Sequence, residues 1–95
     1  MGKIIVVGTG FSGAVIARKI AEELGRNVTV IERKNHIAGN MYDEMDEHNI
    51  LVQKYGPHVV VTDEWKVIDY LSQYAEMVKL TVKELSFIDG QYMTH

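Results

Sequence analysis

The stretch VVGTGFSGAVIARKI, Val6–Ile20, sets glycines at positions 8, 10 and 13 between an apolar run and a segment of helical periodicity. Glycine weakens the interiors of both helices and strands, so this cluster marks a place where the backbone must take a shape that side chains oppose. Upstream, Lys3–Val7 (KIIVV) is β-branched and almost continuously apolar, the pattern of a strand covered on both faces in a parallel sheet. Downstream, Gly13, Ile16, Ala17, Ile20 and Leu24 recur at helical spacing, Arg18, Lys19, Glu22 and Glu23 take the opposite side, and Gly25 stops the helix. A second β-branched run, Asn27–Glu32 (NVTVIE), follows at once. Strand, helix, strand in this compass is a βαβ unit, which places the chain in the α/β class.

A bare G-x-G-x-x-G is a weak signal in a chain that holds eight glycines. Its context is stronger: a strand ends at Val7, a helix opens on the third glycine, and the second strand ends in an acid, Glu32, 19 residues beyond Gly13. In such a unit Gly8 permits the tight turn, Gly10 lets the backbone approach a pyrophosphate that a Cβ would push away, and Gly13 lets helix and sheet pack closely. The phosphates then meet free N–H groups at the positive end of the helix dipole. Glu32 can accept hydrogen bonds from the 2′- and 3′-hydroxyls of an adenosine ribose and would repel a 2′-phosphate, so FAD or NAD is expected rather than NADP. ERKNHIAGN, Glu32–Asn40, runs on into a second glycine-containing turn where an NAD domain usually passes straight into a helix, which favours FAD. The alternative is a degenerate βαβ unit that keeps its glycines for packing alone.

Ninety-five residues make one small domain at most, with a thin core. Apolar residues at 46% and charged ones at 24% are ordinary globular usage and favour neither disorder nor a coiled coil. A net charge of −3 without a basic stripe argues against a nucleic-acid partner. No apolar run approaches the roughly 20 residues needed to span a bilayer, so no membrane partner is expected and a cytoplasmic location is the default. The absence of cysteine excludes disulfides, thiolate metal sites and cysteine nucleophiles together. No metal is expected either: His36, His48, His58 and His95 lack ligand spacing, and Asp43, Glu44, Asp46 and Glu47 lack the glycine and terminal glutamate of a calcium loop.

Further along, Ala38–Asn49 is polar and acidic and reads as a loop, while Ile50–Gln53 and His58–Thr62 read as short strands. Thr62 and Asp63 are helix caps ahead of an amphipathic helix over about Glu64–Glu76, whose Trp65, Tyr70 and Tyr74 suit a core or a partner-facing side. The tail from Leu80 reads as a hairpin about Asp89-Gly90, a type I′ signal. The fold expected is a Rossmann-like FAD/NAD(P)-binding βαβ unit with a short β-hairpin at the C-terminal end, an incomplete doubly wound parallel sheet. The chain stops one or two residues into the returning strand and reads as cut. A parallel sheet without its later strands leaves an unpaired edge, from which self-association is expected.

Three stretches, GTGFSGAVIA (8–17), VIERKNHIAGNMYDE (30–44) and KYGPHVVVT (54–62), resemble the amino-terminal part of UDP-galactopyranose mutases, a flavoenzyme family, and residues 80–93 look like that family's hairpin. The resemblance implies that residues 1–95 are the amino-terminal FAD-binding portion of an isomerase with two dinucleotide folds. By the same resemblance its substrate domain is expected to lie outside these residues. Such an enzyme interconverts UDP-galactopyranose and UDP-galactofuranose through a flavin N5–galactose adduct, for cell-wall polysaccharide synthesis. It further implies that Gly8, Gly10, Phe11, Ser12 and Gly13 hold the FAD pyrophosphate and that Glu32 and Arg33 hold the adenosine end. Gly39 and Asn40 would hold the pyrophosphate and ribityl region, with Gly56 and His58 beside the isoalloxazine ring and His58 tuning N5. Two positions depart from the family pattern: Ala38-Gly39 stands where a double glycine is usual, and Val61 where a second histidine is common. The groups that hold UDP-galactose belong to segments after residue 95, so the chain alone is not expected to be catalytic. Two other classes remain open: an amine-oxidase-like or desaturase-like FAD oxidoreductase, and a non-enzymatic nucleotide-binding module.

Overall fold

The computed structural model describes residues 2–94, so His95 lies outside it. The chain divides into two compact units, Met1–Val59 and Val60–His95. The first is built from β1 (Ile4–Val7), α1 (Phe11–Leu24), β2 (Val28–Ile31), a 3-10 turn (Gly39–Met41), β3 (Asp43–Met45) and β4 (Leu51–Gln53). The two β-branched runs pair in parallel, from Ile4 opposite Val28 to Val7 opposite Ile31, and α1 is the crossover between them. The result is the expected α/β fold with a parallel strand pair at its start.

Coverage of β1 differs from its reading as a strand buried on both faces. Ile4 and Val6 are half-buried, whereas Ile5 and Val7 are exposed, Val7 at 82%. Among the described elements α1 is the main one packed on the pair, so the apolar run is divided between a covered face and an open one. The helix shows the same limit: Gly13, Ala17 and Ile20 are half-buried as expected, but Ile16 and Leu24 are exposed. Two strands spaced about 5 Å apart cannot cover a helix roughly 10 Å across. No described residue is fully buried, and the core is thin as anticipated. On the outer side of α1, Arg18–Glu22 and Lys19–Glu23 form ion pairs one turn apart.

The helix opens at Phe11 rather than at Gly13. Gly10 is its N-cap, and the Gly10 carbonyl takes the Ala14 N–H at 3.0 Å. Gly25 closes it in the left-handed conformation, φ 60°, as its composition indicated. Ala38–Asn49, expected to be an irregular loop, instead holds the 3-10 turn and β3, which pairs antiparallel with β4. Its polarity belongs to the hairpin turn: Asp46 Oδ1 accepts the N–H groups of His48 at 2.7 Å and Ile50 at 2.9 Å, and Asn49 sits at φ 61°. Asp and Asn suit those positions because their short polar side chains bond the local backbone and tolerate left-handed geometry.

His58–Thr62 forms no strand. A valine-rich run supplies propensity but not a partner, and a strand exists only through its ladder. In the second unit α2 spans Trp65–Ser72, shorter than the segment to Glu76, because the chain turns where the Leu71 carbonyl takes the N–H groups of Tyr74 and Ala75. The N-cap is Glu64, and Thr62 acts two residues earlier, its Oγ1 accepting the Glu64 N–H at 3.0 Å. The tail forms the expected hairpin, β5 (Leu85–Ile88) against β6 (Gln91–Thr94). Its turn residues Asp89 and Gly90 have φ of 50° and 78°, the double positive φ of type I′. The returning strand runs four residues, longer than expected. No helix among the described residues is long and apolar enough to cross a membrane.

Candidate dinucleotide site

The glycine turn is shaped by three different constraints. Gly8 has φ 99°, a conformation L side chains rarely adopt, and its N–H donates to the Ile31 carbonyl at 2.7 Å, tying the exit of β1 to the end of β2. Gly13 is demanded by contact: a Cβ there would stand 2.1 Å from the Gly8 carbonyl oxygen. Gly10 is different. Its φ of −66° suits any residue, and a Cβ built on it meets nothing within 4 Å. The space that such a Cβ would fill lies at the N-terminus of α1, whose first turn carries no side-chain cap and no acidic residue. The N–H groups of Phe11, Ser12 and Gly13 therefore keep donors for an anion at the positive end of the helix.

Glu32 follows directly on β2 and faces this turn. Its Oε2 accepts the Thr9 N–H at 2.8 Å and the Thr9 hydroxyl at 2.6 Å, and its Oε1 accepts the Lys34 N–H at 3.0 Å. These bonds, the Thr9 hydroxyl foremost, hold the carboxyl down from an ordinary 4.5 to about 2. The second glycine turn closes on the first. Ala38 N–H donates to the Thr9 carbonyl at 3.0 Å, and a Cβ on Gly39 (φ 56°) would stand 2.9 Å from the Gly10 Cα. Ala38 itself takes φ 80° despite its side chain. Gly8, Gly10, Phe11, Ser12, Gly13, Glu32 and Gly39 are thus gathered in one place, with Asn40 on the adjoining 3-10 turn and Arg33 exposed beside Glu32.

Gly56 and His58 stand in a second group, around the β3–β4 hairpin. Gly56 has φ 98° and donates its N–H to the Gln53 carbonyl at 3.2 Å. His58 lies with Nε2 3.4 Å from Asp43 Oδ1, and its carbonyl accepts from Gln53 Nε2 at 3.3 Å. The Asp43 Oδ1 and His58 Nδ1 atoms are shielded from solvent without a hydrogen-bond partner.

Some of the residues that organise the site did not stand out in the sequence. Thr9 and Ala38 tie the two turns together, and the only hint was a hydroxyl residue inside G-x-G opposite an acid at the end of the paired strand. Another is His36, stacked on Tyr42 at 3.8 Å between ring centroids. His36 Nδ1–H donates to the Ile37 carbonyl at 2.8 Å, and Nε2 accepts the Tyr55 hydroxyl at 2.7 Å. Lys34 Nζ lies 4.0 Å from the centre of the Tyr55 ring. This cluster fastens the segment after β2 to the segment after β4.

A βαβ unit with an open, uncapped helix N-terminus at its glycine turn, and an acid at the end of its second strand, defines a dinucleotide-binding domain. The chain belongs to the NAD(P)-binding Rossmann-like domain family, whose sequence profile matches residues 6–74. It is similar to a probable UDP-galactopyranose mutase of Klebsiella pneumoniae, 45% identical over 89 residues, which are 93% of this chain and 23% of that protein. A dTDP-fucopyranose mutase of Escherichia coli is 41% identical over 92 residues, 96% of this chain and 24% of its own length. A UDP-galactopyranose mutase of Mycoplasma pneumoniae is 39% identical over 74 residues, 77% of this chain and 18% of its own length. The likeness to UDP-galactopyranose mutases read from the three sequence stretches is borne out, and the chain spans about a quarter or less of the length of these relatives.

Proposed function

We propose that the chain is the FAD-binding portion of a nucleotide-sugar mutase that interconverts pyranose and furanose forms, with UDP-galactopyranose as the substrate of the longer protein. One observation carries the cofactor part of this reading: Gly10 is required neither by its own φ nor by a neighbour of its missing Cβ. Beyond its favour at an N-cap, glycine there suits an outside group that must come close to the backbone. A pyrophosphate on the N–H groups of Phe11, Ser12 and Gly13 is such a group, and Gly39, pressed on the Gly10 Cα, extends the same floor. Glu32 holds the adenosine ribose with Arg33 beside it, and Asn40 adjoins Gly39 on the pyrophosphate and ribityl side. The negative charge of Glu32 disfavours a 2′-phosphate, in keeping with FAD.

The flavin, when bound, supplies the nucleophile for sugar ring interconversion. His58 and Gly56 are assigned to its ring, and the unpartnered His58 Nδ1 supports that assignment because a shielded ring nitrogen gains from a bonding partner. The chain's own part is to bind and orient the cofactor. The relative that acts on dTDP-fucopyranose, nearly as similar as the first, makes a dTDP-sugar the second substrate this reading admits.

Titrating the purified chain with FAD, NAD and ADP tests the proposal. FAD is expected to bind, with ADP competing, and Gly10→Val to weaken both at least tenfold with an unchanged circular dichroism spectrum. Binding of none of the three, or equal binding by Gly10→Val, overturns it.

A further inference from the structure

Thr9 commits every polar group it has. Its N–H and hydroxyl both reach Glu32 Oε2, at 2.8 and 2.6 Å, and its carbonyl accepts the Ala38 N–H at 3.0 Å. Glu32 Oε1 is already taken once, by the Lys34 N–H at 3.0 Å. An ionised carboxylate offers about four acceptor positions, two on each oxygen. Oε2 is therefore full and Oε1 keeps a single position.

A ribose that offers both its 2′- and 3′-hydroxyls needs two. To supply the second, Thr9 would have to give up a short, charge-assisted bond, of the kind that is about twice as strong as a neutral one. We propose that Thr9 is a positioning residue that limits Glu32 to one free acceptor, so that the site takes a nucleoside diphosphate through one ribose hydroxyl rather than through the 2′,3′ pair. The proposal rests on the nucleotide-binding reading above and adds to it which group decides how the ribose is held. Three features of the chain support it. Thr9 sits inside the glycine turn, so the lock and the phosphate floor move as one. Its carbonyl bond to Ala38 holds the residue from the other side. The depressed Glu32 carboxyl, with the Thr9 hydroxyl as the largest cause, agrees with an anion already satisfied by the protein.

The test compares ADP with 2′-deoxy-ADP and 3′-deoxy-ADP by calorimetry, on the unaltered chain, Thr9→Val and Thr9→Ser. Valine keeps the shape and the N–H but removes the hydroxyl, freeing a second acceptor; serine keeps the hydroxyl. In the unaltered chain and in Thr9→Ser, one deoxy analogue is expected to bind as ADP does and the other about fivefold or more weakly, the worth of one hydrogen bond. In Thr9→Val both analogues are expected to bind more weakly than ADP. A carbon-13 NMR titration of the Glu32 carboxyl in the nucleotide-free chain gives a readout independent of binding: it should move up toward the ordinary range in Thr9→Val and stay in Thr9→Ser.

Equal losses for both analogues in the unaltered chain overturn the proposal without recourse to any variant. An unchanged pattern in Thr9→Val, with its amide spectrum showing a folded chain, overturns it as well. Failure of ADP to bind the unaltered chain overturns the nucleotide reading and this inference with it, whereas ADP binding with the wrong pattern overturns this inference alone.

Discussion

Gly10 and Gly13 are one helical turn apart and answer to different partners. A methyl on Gly13 would collide with the Gly8 carbonyl oxygen, which is backbone and cannot step aside. Gly13→Ala is therefore expected to cost about 1–3 kcal/mol in urea unfolding, the usual range for overpacking. Gly10→Val places its side chain in open space at an ordinary φ and should cost about 1 kcal/mol or less, the difference between glycine and valine at an N-cap, while removing nucleotide affinity. Equal destabilisation by the two would show that both glycines serve packing, which is the degenerate βαβ alternative. Ala38 presents the converse case, a side chain at φ 80° where glycine would rest. The left-handed conformation costs about 1–2 kcal/mol, against about 0.4–1 kcal/mol of added unfolded-state freedom for glycine. Ala38→Gly should then raise stability by about 0.5–1 kcal/mol, and a lower unfolding midpoint would show that the turn carries no strain.

The end of β2 and the glycine turn are joined by the Glu32 carboxylate, and that junction depends on pH in a direction the geometry dictates. Glu32 has its folded-state carboxyl held at about 2, below the ordinary 4.5 it regains on unfolding. The unfolded chain binds the extra proton first, so the stabilisation is complete above the unfolded value and is lost as pH falls toward about 2. Thermal unfolding followed from pH 6 to pH 2 is expected to show a falling midpoint with a contribution that Glu32→Gln removes; an identical slope in that variant would mean that the Thr9 bonds do not form in solution. The strands and helix flanking this junction were legible beforehand because their signals are local: β-branched runs at Lys3–Val7 and Asn27–Glu32, and a 3.6-residue period between them. β3 was not, since its three residues carry no apolar alternation and exist only by pairing with β4. His58–Thr62 failed in the opposite sense, having the composition of a strand and no partner.

The apolar surface is spread over the chain rather than gathered inside it. Ile5 and Val7 on the open face of β1, Ile31 on β2, and Phe87 and Tyr92 on the β5–β6 hairpin are all exposed. Among the described residues β1 and β2 pair only with each other, so each presents an outer edge as well. Surface of this kind favours association of copies, by edge pairing or by exchange of an element. Light scattering over a concentration series is expected to show a mass rising above that of one chain; a constant single-chain mass would exclude it.

Residue order alone settled the βαβ start, the helix stop at Gly25, the type I′ turn at Asp89-Gly90 and the spacing of the three glycines in the first turn, because each depends on neighbours within a few residues or on a fixed motif spacing. Contact between distant segments decided the rest. It set Gly39 on the Gly10 Cα, bent Ala38 into left-handed geometry, and turned Glu32 from a carboxylate open to a ribose into one already bonded three times over. Those outcomes depend on where the end of one strand meets the loop after another, across 23 residues of chain, and no local pattern carries that distance.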